Sequence, residues 1–310
     1  MAGAQRVFKE KIRATATLEK VFRAMELIAA SRIGRAREAA SGLDPYTRIL
    51  TRSIAAVALH DHELNHPMLT HREDTNRVAV LVVTSDRGMA GAYSSSVLRE
   101  ADRLVEELRT EGREPVLYVS GRRGESYYRF QGIEVAKSWT GKSDNPDIDV
   151  SDDVASTLLD AYLAAPEDGG VGELIVVYTR FVSMVRQIVQ VRHMLPLEVV
   201  EAEDDDERGP VDDLGDRPEE TRPLFEFEPS AEDIFDALLP MYVSQRIHSV
   251  LLMAAASELA SRQQAMHSAT ENAQKLIEDY PRLANNARQA EITTEITEIV
   301  SGADALKQGA

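Results

Sequence analysis

A helical repeat of apolar residues marks both ends of the chain and is missing from its middle. The first series runs from Val7 through Leu18, Val21 and Ile28 to Ala56. The second runs from Ile234 through Met266 and Ala273 to Leu276 and resumes from Ile292 to Leu306. Apolar residues spaced alternately three and four positions apart lie on one face of a helix, so each end predicts a long helix with one apolar stripe. An isolated helix gains little stability in water, and both stripes therefore need a partner.

The economical interpretation is that the two ends pair as an antiparallel coiled coil, which a compact insert between them makes possible. Separate helices of a bundle are the alternative, and periodicity alone leaves it open. The stretch Leu43–Tyr46 is a possible kink in the first helix. Pro281 lies inside the last helix, where it lacks the N–H of a backbone hydrogen bond, and this predicts a bend or an irregular turn near Tyr280–Leu283.

The middle of the chain has the pattern of an α/β insert. Residues 77–85, RVAVLVVTS, form a continuous β-branched run of the kind found in buried parallel strands. A glycine-containing turn and further alternating elements follow, which predicts a largely parallel sheet and an α/β fold class overall. The predicted elements are a helix over Tyr93–Glu111, a strand over Pro115–Val119, a helix over Asp152–Ala165 and a strand over Glu173–Tyr178. The predicted domains are a helix over 1–62, an α/β domain over 63–230 and a helix over 231–310.

Charge is distributed unevenly along the chain. The net charge of −17 disfavours nucleic acid as a partner, because phosphate binding needs surplus lysine and arginine. Residues 201–222 are too acidic to bury a core, so we expect an exposed loop there within the α/β domain. Residues 1–37 contain nine lysines or arginines and three glutamates. This basic surplus favours an acidic partner for the first helix over a merely solvated face.

Several classes of chemistry are excluded or disfavoured. The chain has no cysteine, so disulfides and thiolate metal sites cannot form. No uncharged apolar run approaches the roughly 18 residues of a membrane-spanning helix, and we expect membrane association only through partners. The first residues carry frequent charges and lack the apolar core of a signal peptide, which predicts a cytoplasmic protein.

Two motifs look like binding sites but are better explained as structural features. The turn Ser85–Tyr93 follows a strand and precedes a helix, as phosphate loops do, but it lacks both the P-loop ending and the dinucleotide spacing. We therefore expect a structural turn. The histidines of HDHELNHPMLTH (His60, His62, His66 and His71) lack helical ligand spacing, and they predict a solvated connector and not a metal site. No catalytic signature is present, so neither an enzyme nor a cofactor is expected.

Four stretches together resemble the gamma subunit of F-type ATP synthases. They occur in the family's order and fall on the predicted helix, turn and helix. They are EKVFRAMELIAASRIGRA at 19–36, TSDRGMAGAY at 84–93, ASELASRQQAMHSATENA at 256–273 and ARQAEITTEITEIVSGADAL at 287–306. The resemblance implies a long antiparallel coiled coil of the terminal helices with an inserted Rossmann-like α/β domain.

The resemblance also implies a role and a set of partners. The role is that of a non-catalytic central shaft, present in one copy, that rotates inside the catalytic head and couples proton flow to ATP synthesis or hydrolysis. The implied partners are the alpha and beta subunits of the head, the epsilon subunit and the membrane c-ring, at the cytoplasmic side of the cell membrane. A stand-alone coiled-coil adaptor and a small enzyme that uses the edge of the sheet are the alternatives.

The residues expected to contact the head come from both terminal helices. The resemblance assigns Met25, Arg262, Arg288, Gln289, Thr293, Glu295 and Glu298 to this contact, and the basic first helix adds Lys20, Arg23, Arg32 and Arg35. The apolar end from Ile296 to Leu306 is expected to turn within an apolar sleeve of the head.

Overall fold

The computed structural model describes residues 3–42, 44–60, 66–197, 228 and 230–308. Its helices are α1 (Gly3–Gly42), α2 (Asp44–His60), α3 (Tyr93–Thr110), α4 (Arg122–Gln131), α5 (Ile148–Leu163) and α6 (Ala231–Gln308), with a 3-10 turn at Pro166–Asp168. Its strands are β1 (Arg77–Val83), β2 (Glu114–Ser120), β3 (Lys137–Trp139), β4 (Glu173–Phe181) and β5 (Gln187–Leu195). Two compact units contain these elements: one is Ala30–Ser261, and the other joins Met1–Ala29 to Arg262–Ala310. The predicted acidic loop at 201–222 lies outside the described residues.

The unit Ala30–Ser261 is built on a five-stranded sheet with the order β3-β2-β1-β4-β5. Strands β1 to β4 are parallel, and β5 is an antiparallel edge strand. Strand β1 lies in the centre and is buried from Val78 to Val83, as its continuous apolar run predicts. The predicted largely parallel sheet is confirmed. The sequence pattern did not predict β3 and β5, because β3 is only three residues long and β5 (QIVQVRHML) neither alternates strictly nor forms a continuous apolar run.

Helices cover both faces of this sheet. On one face, α3 and α4 pack through residues such as Val97, Leu104 and Tyr128. On the other face, α5 and the first part of α6 pack through residues such as Leu158, Phe235 and Ile247. Burial on both faces explains the continuous apolar run from Val78 to Val83 in the central strand β1.

The turn that follows β1 is held by its own polar groups. One oxygen of Asp86 accepts the Arg122 N–H at 3.0 Å, at the start of α4. The other oxygen accepts the N–H groups of Gly141 at 2.8 Å and Ser143 at 2.9 Å. Burial of the Asp86 carboxyl opposes its ionisation, but these backbone donors outweigh burial and hold its pKa below the ordinary 3.8. The expected structural turn is therefore a carboxylate-centred junction between β1, α4 and the loop after β3.

The unit formed by Met1–Ala29 and Arg262–Ala310 is an antiparallel helix pair. Phe8 lies against Tyr280 with ring centroids 6.2 Å apart, the Gln274 side chain donates to Glu19 at 3.3 Å, and Glu26 contacts His267 at 2.9 Å. Residue numbers rise on α1 as they fall on α6, which is the antiparallel order. The predicted pairing of the two chain ends is confirmed.

The predicted register of α1 is wrong by one position. Val7, Leu18, Val21 and Ile28 were expected in the seam, but each is exposed. The seam instead follows a four-three repeat that is shifted by one residue, from Phe8 and Ile12 through Phe22 to Ala29. Apolar residues occupy both adjacent repeats, so periodicity alone does not decide which of them faces α6. In α6 the predicted Met266 and Ala273 are buried, whereas the predicted Leu276 is exposed.

Prolines lie at three helical positions. Pro45 is in the first turn of α2, where its missing N–H has no helical partner to lose. Pro240 and Pro281 lie inside α6, which continues from Ala231 to Gln308 through both. The predicted irregular turn at Tyr280–Leu283 is wrong, and a bend within the continuous helix stays a prediction. Near the predicted kink at Leu43–Tyr46, helix α1 ends at Gly42 and helix α2 begins at Asp44.

Within the described ranges, no helix is both long and apolar enough to cross a bilayer.

The Asp86 junction predicts an acid-dependent contribution to stability. We expect Asp86→Asn to lower the free energy of unfolding by about 1–3 kcal/mol at pH 7, because a charged acceptor of three N–H groups is lost. The folded-state pKa is depressed, so this contribution is complete above the unfolded pKa of 3.8 and disappears as pH falls through the lower folded value. Denaturant unfolding at pH 7 and below pH 4 measures both effects. Asp168→Asn, at an exposed aspartate, is the control, and equal losses for the two variants would contradict the assignment.

Pro281→Ala is expected to stabilise the helix pair. Alanine restores an N–H that can donate to the Ile277 carbonyl, and an internal proline costs a helix roughly 3 kcal/mol. We expect a higher unfolding temperature and slower hydrogen exchange over residues 278–285. Arg282→Ala, which leaves the backbone donors unchanged, is the matched control. Equal exchange in Pro281→Ala and the parent chain would show that the helix already accommodates the proline without loss.

Candidate partner-binding surfaces

Large apolar side chains remain exposed on the helix pair. These side chains recur at helical spacing, so they form stripes along the helix surface and are not scattered over it. On α1 they are Val7, Leu18, Val21, Leu27 and Ile28, and on α6 they are Leu276, Leu283, Ile292, Ile296, Ile299 and Val300. Contiguous exposed apolar surface marks an interaction site in a soluble protein.

The last part of α6 extends beyond its described partner helix. Phe8 lies opposite Tyr280, and Gly3 lies five residues before Phe8, so α1 accompanies α6 only to about residue 285. Ile296 and Ile299 are in the remaining single helix, and Ile299 is 71% exposed. A single helix with an apolar stripe gains most of its stability from packing, which makes this segment the strongest candidate for a partner contact.

The polar residues predicted in this last part of α6 surround the apolar stripe. Arg288, Gln289, Thr293, Glu295 and Glu298 are all exposed. The Thr293 hydroxyl donates to the Gln289 carbonyl at 2.9 Å, within the helix itself. The structure therefore brings these five predicted residues together on one accessible segment.

The predicted residues of the paired region have different surroundings. Lys20 and Arg23 are exposed and extend from α1, whereas Met25 is half-buried. Arg262 is buried, with 9% of its surface exposed. Lys20 and Arg23 are thus accessible to a partner, whereas Arg262 is largely enclosed by the chain itself.

Arg32 and Arg35 belong to the unit Ala30–Ser261. The Arg32 guanidinium donates to Asp144 at 2.6 Å, and Asp144 lies in the loop that Asp86 also holds. Arg35 is exposed. Sequence analysis did not identify the Arg32–Asp144 pair, because the two residues are 112 positions apart and neither lies in a motif.

Polar side chains link the two helices of the pair at the edge of their seam. His267 contacts Glu26 of α1 at 2.9 Å and Glu271 of its own helix at 3.5 Å. Surface contacts of this kind contribute at most roughly 1 kcal/mol each, so the buried seam contributes more to the pairing.

The histidine-rich segment is partly structural. His66 is buried, its Nδ1 accepts the Met68 N–H at 3.1 Å, and its Nε2 contacts Asp236 at 3.0 Å. The prediction of a solvated connector is wrong for His66, since these contacts hold it against α6; His71 is exposed as expected. His62 lies outside the described residues. Among the side chains that the structure describes, no cluster of metal-ligating residues occurs.

The comparisons with known proteins converge on one family. A family model described as ATP synthase matches residues 4–306. The ATP synthase gamma chain of Beutenbergia cavernae is 60% identical over 306 residues, covering 99% of this chain and 99% of that protein. The ATP synthase gamma chain of a Nocardioides species is 52% identical over 306 residues, covering 99% of this chain and 97% of that protein.

Solved structures show the same fold at low sequence identity. A chain of the Tetrahymena thermophila mitochondrial ATP synthase central stalk and c-ring aligns with a TM-score of 0.57 at 18% identity, covering 80% of this chain and 99% of that one. A chain of the Euglena gracilis mitochondrial ATP synthase aligns with a TM-score of 0.58 at 15% identity, covering 100% of this chain and 96% of that one. The α/β fold with long terminal helices is therefore that of the central stalk.

Alanine substitutions distinguish the exposed stripe from the buried seam. We expect Ile296→Ala and Ile299→Ala to change the free energy of unfolding of the free chain by no more than about 0.5 kcal/mol, because both side chains are exposed. Met266→Ala, in the seam, is expected to cost about 2–5 kcal/mol. Denaturant unfolding of the three variants measures the contrast. Large losses at Ile296 and Ile299 would place these residues in a packed core and remove the argument for a partner.

Proposed function

Because this chain belongs to the ATP synthase gamma chain family, we propose that it is the central rotor shaft of an F-type ATP synthase. In this proposal the helix pair turns inside a head of alpha and beta subunits, and the α/β unit meets the epsilon subunit and the c-ring. One copy serves each complex at the cytoplasmic side of the cell membrane, and membrane contact is made through partners. We propose three domains for this shaft: a helix over 1–62, an α/β domain over 63–230 and a helix over 231–310.

The observation that carries the proposal is the apolar segment of α6 that lies beyond the described part of α1. Ile296 and Ile299 are exposed on a helix that α1 no longer accompanies. An apolar sleeve would bury them without directional hydrogen bonds, so the helix could rotate while its surface stays covered. The polar residues that precede this segment, including Arg288 and Glu295, would then meet the head outside the sleeve.

The contacts proposed along the shaft are numerous and individually weak. Lys20, Arg23 and Glu295 are exposed charges, each worth roughly 0–1 kcal/mol in a pair with a partner. A rotating surface must break and re-form its contacts at every step, and a deeply buried anchor would hold it in one position. Weak exposed pairs suit this requirement.

The proposed mechanism is conformational and assigns no catalytic residue to this chain. An asymmetric shaft inside a threefold head favours a different conformation of each catalytic beta subunit at each angle. Rotation then moves every subunit through the same sequence of states. Proton flow through the membrane ring and nucleotide chemistry in the head are coupled because both act on one shaft.

Co-expression with alpha and beta subunits of the same organism tests the proposal. We expect one large complex that contains a single copy of this chain, and ATP hydrolysis that depends on its presence. The double variant Ile296→Asp with Ile299→Asp is expected to lower assembly or turnover at least about tenfold, because two charges would enter an apolar sleeve.

Leu163→Asp, at an exposed leucine in the α/β unit, is the matched control and is expected to leave hydrolysis by the head unchanged. A head that assembles with another gamma chain but rejects this one would overturn the proposal. Unchanged assembly and turnover in the double variant would overturn the role given to the end of α6.

A further inference from the structure

A cavity of about 240 Å³ opens at the carboxyl ends of β1, β2 and β3. Val83 and Ser120 are the last residues of β1 and β2, and Trp139 is the last residue of β3. Val150 of α5 and Leu251 of α6 complete the apolar wall. Open α/β sheets bind their ligands at this edge, where the strands end and the loops begin.

The polar residues that line the cavity are Ser120, Ser138, Thr140, Lys142 and Ser143, all of which can donate a hydrogen bond. The Ser143 hydroxyl already accepts the Asp86 N–H at 2.8 Å, so the other four are the candidate donors to a ligand. None of the described residues that line the cavity is an aspartate or a glutamate, although the chain has a net charge of −17. A cavity of this composition selects a ligand that accepts hydrogen bonds and carries negative charge.

Ser120 is buried, and its hydroxyl has no hydrogen-bond partner among the described residues. Only 7% of its surface is exposed, and it lines the cavity. Its carbonyl accepts from both the N–H and the hydroxyl of Thr84, but no described residue hydrogen-bonds to its own hydroxyl. This hydroxyl is not one of the fully enclosed polar atoms without a partner in the described part of the chain, so it is accessible from the cavity and can donate to a bound molecule.

Lys142 retains donors for a ligand. Its ammonium group contacts Asp147, which also accepts the Val150 N–H at 3.2 Å and so caps α5. An ammonium has three N–H donors, and this contact uses one. The other lining hydroxyl groups lie on the same loop or on β3, close to Lys142 in sequence.

The nearby start of α4 offers no free donor to a phosphate. Its first N–H groups donate to Asp86, to the Ser85 carbonyl and to the Thr84 hydroxyl. Phosphates are typically held by such N–H groups at a helix start. Here the chain's own groups occupy them, so side chains and apolar walls must bind the ligand.

We propose that this cavity binds a small monocarboxylate with an apolar body. The carboxylate accepts hydrogen bonds from Lys142 and the Ser120 hydroxyl. The apolar body lies against Trp139, Val150 and Leu251. This site is separate from the rotor role and does not depend on it.

Intrinsic fluorescence of the full chain tests the site, because Trp139 is the only tryptophan. We expect cyclohexanecarboxylate to produce a saturable change in emission. The neutral cyclohexanecarboxamide has nearly the same shape and is expected to bind on the order of tenfold more weakly, since it lacks the charge. Inorganic phosphate lacks the apolar body and is expected to give no saturable change.

Two variants locate the binding site. Lys142→Gln and Ser120→Ala are each expected to weaken cyclohexanecarboxylate binding on the order of tenfold. Lys275→Gln, at an exposed lysine on α6, is the matched control and is expected to bind as the parent does. Lys142 is on the surface, so its variant tests the proposal even if Ser120→Ala loses stability.

Three results would overturn the proposal. They are the absence of saturable binding by the carboxylate, equal binding of the carboxylate and its amide, and parent-like binding in Lys142→Gln. Phosphate binding tighter than that of the carboxylate would overturn the ligand class.

Discussion

A pair of helices can bury only one narrow seam, and this limit governs the helix pair of this chain. Each helix contributes one residue to the seam every three or four positions. The sequence supplies more apolar residues than such a seam can hold, since Phe8, Phe22 and Ala29 face α6 while Val21 and Ile28 do not. The surplus remains exposed along α1. At the end of α6 the limit is stricter still, because Ile299 has no described partner helix.

This surplus is understandable in a subunit that works inside a larger assembly. Exposed apolar stripes make a free chain prone to association, and they are covered when partners surround it. The exposed charges beside the stripes, such as Lys20 and Glu298, keep the same surface compatible with water. Apolar contact supplies attraction that does not depend on direction, and weak charge pairs supply register. Together they meet the demands of the proposed rotating contact.

The turn after β1, at the edge of the sheet where open α/β folds bind their ligands, is occupied by a carboxylate of the chain itself. Asp86 presents a carboxylate to the N–H groups of Arg122, Gly141 and Ser143. An external anion would therefore have to displace an internal one. The same carboxylate fixes the loop that carries Asp144, whose side chain binds Arg32 of α1. The turn thus holds together β1, α4 and the loop after β3.

Local sequence patterns predicted most of the fold, because the pattern of a helix or strand depends on residues that are neighbours in the sequence. Val78–Val83 could only be a buried strand, and the repeats at both ends could only be helices. Strand β3 was missed because three residues carry no periodic pattern. The shift of the α1 seam from Val21 to Phe22 was missed for a different reason, since two adjacent repeats are equally apolar and only the facing helix selects one.

Long-range polar contacts explain the rest of what the sequence could not predict. Asp86 meets Gly141 across 55 positions, and Arg32 meets Asp144 across 112. Neither distance leaves a signal in any local motif. The resemblance assigned Arg288 and Thr293 to a contact with the head, and both are exposed on the part of α6 that lies beyond the described part of α1. The same part of α6 carries the apolar stripe with Ile296 and Ile299. Two helices that pair over only part of their described lengths leave the apolar residues of the longer one exposed, and a partner that covers them stabilises that helix by packing.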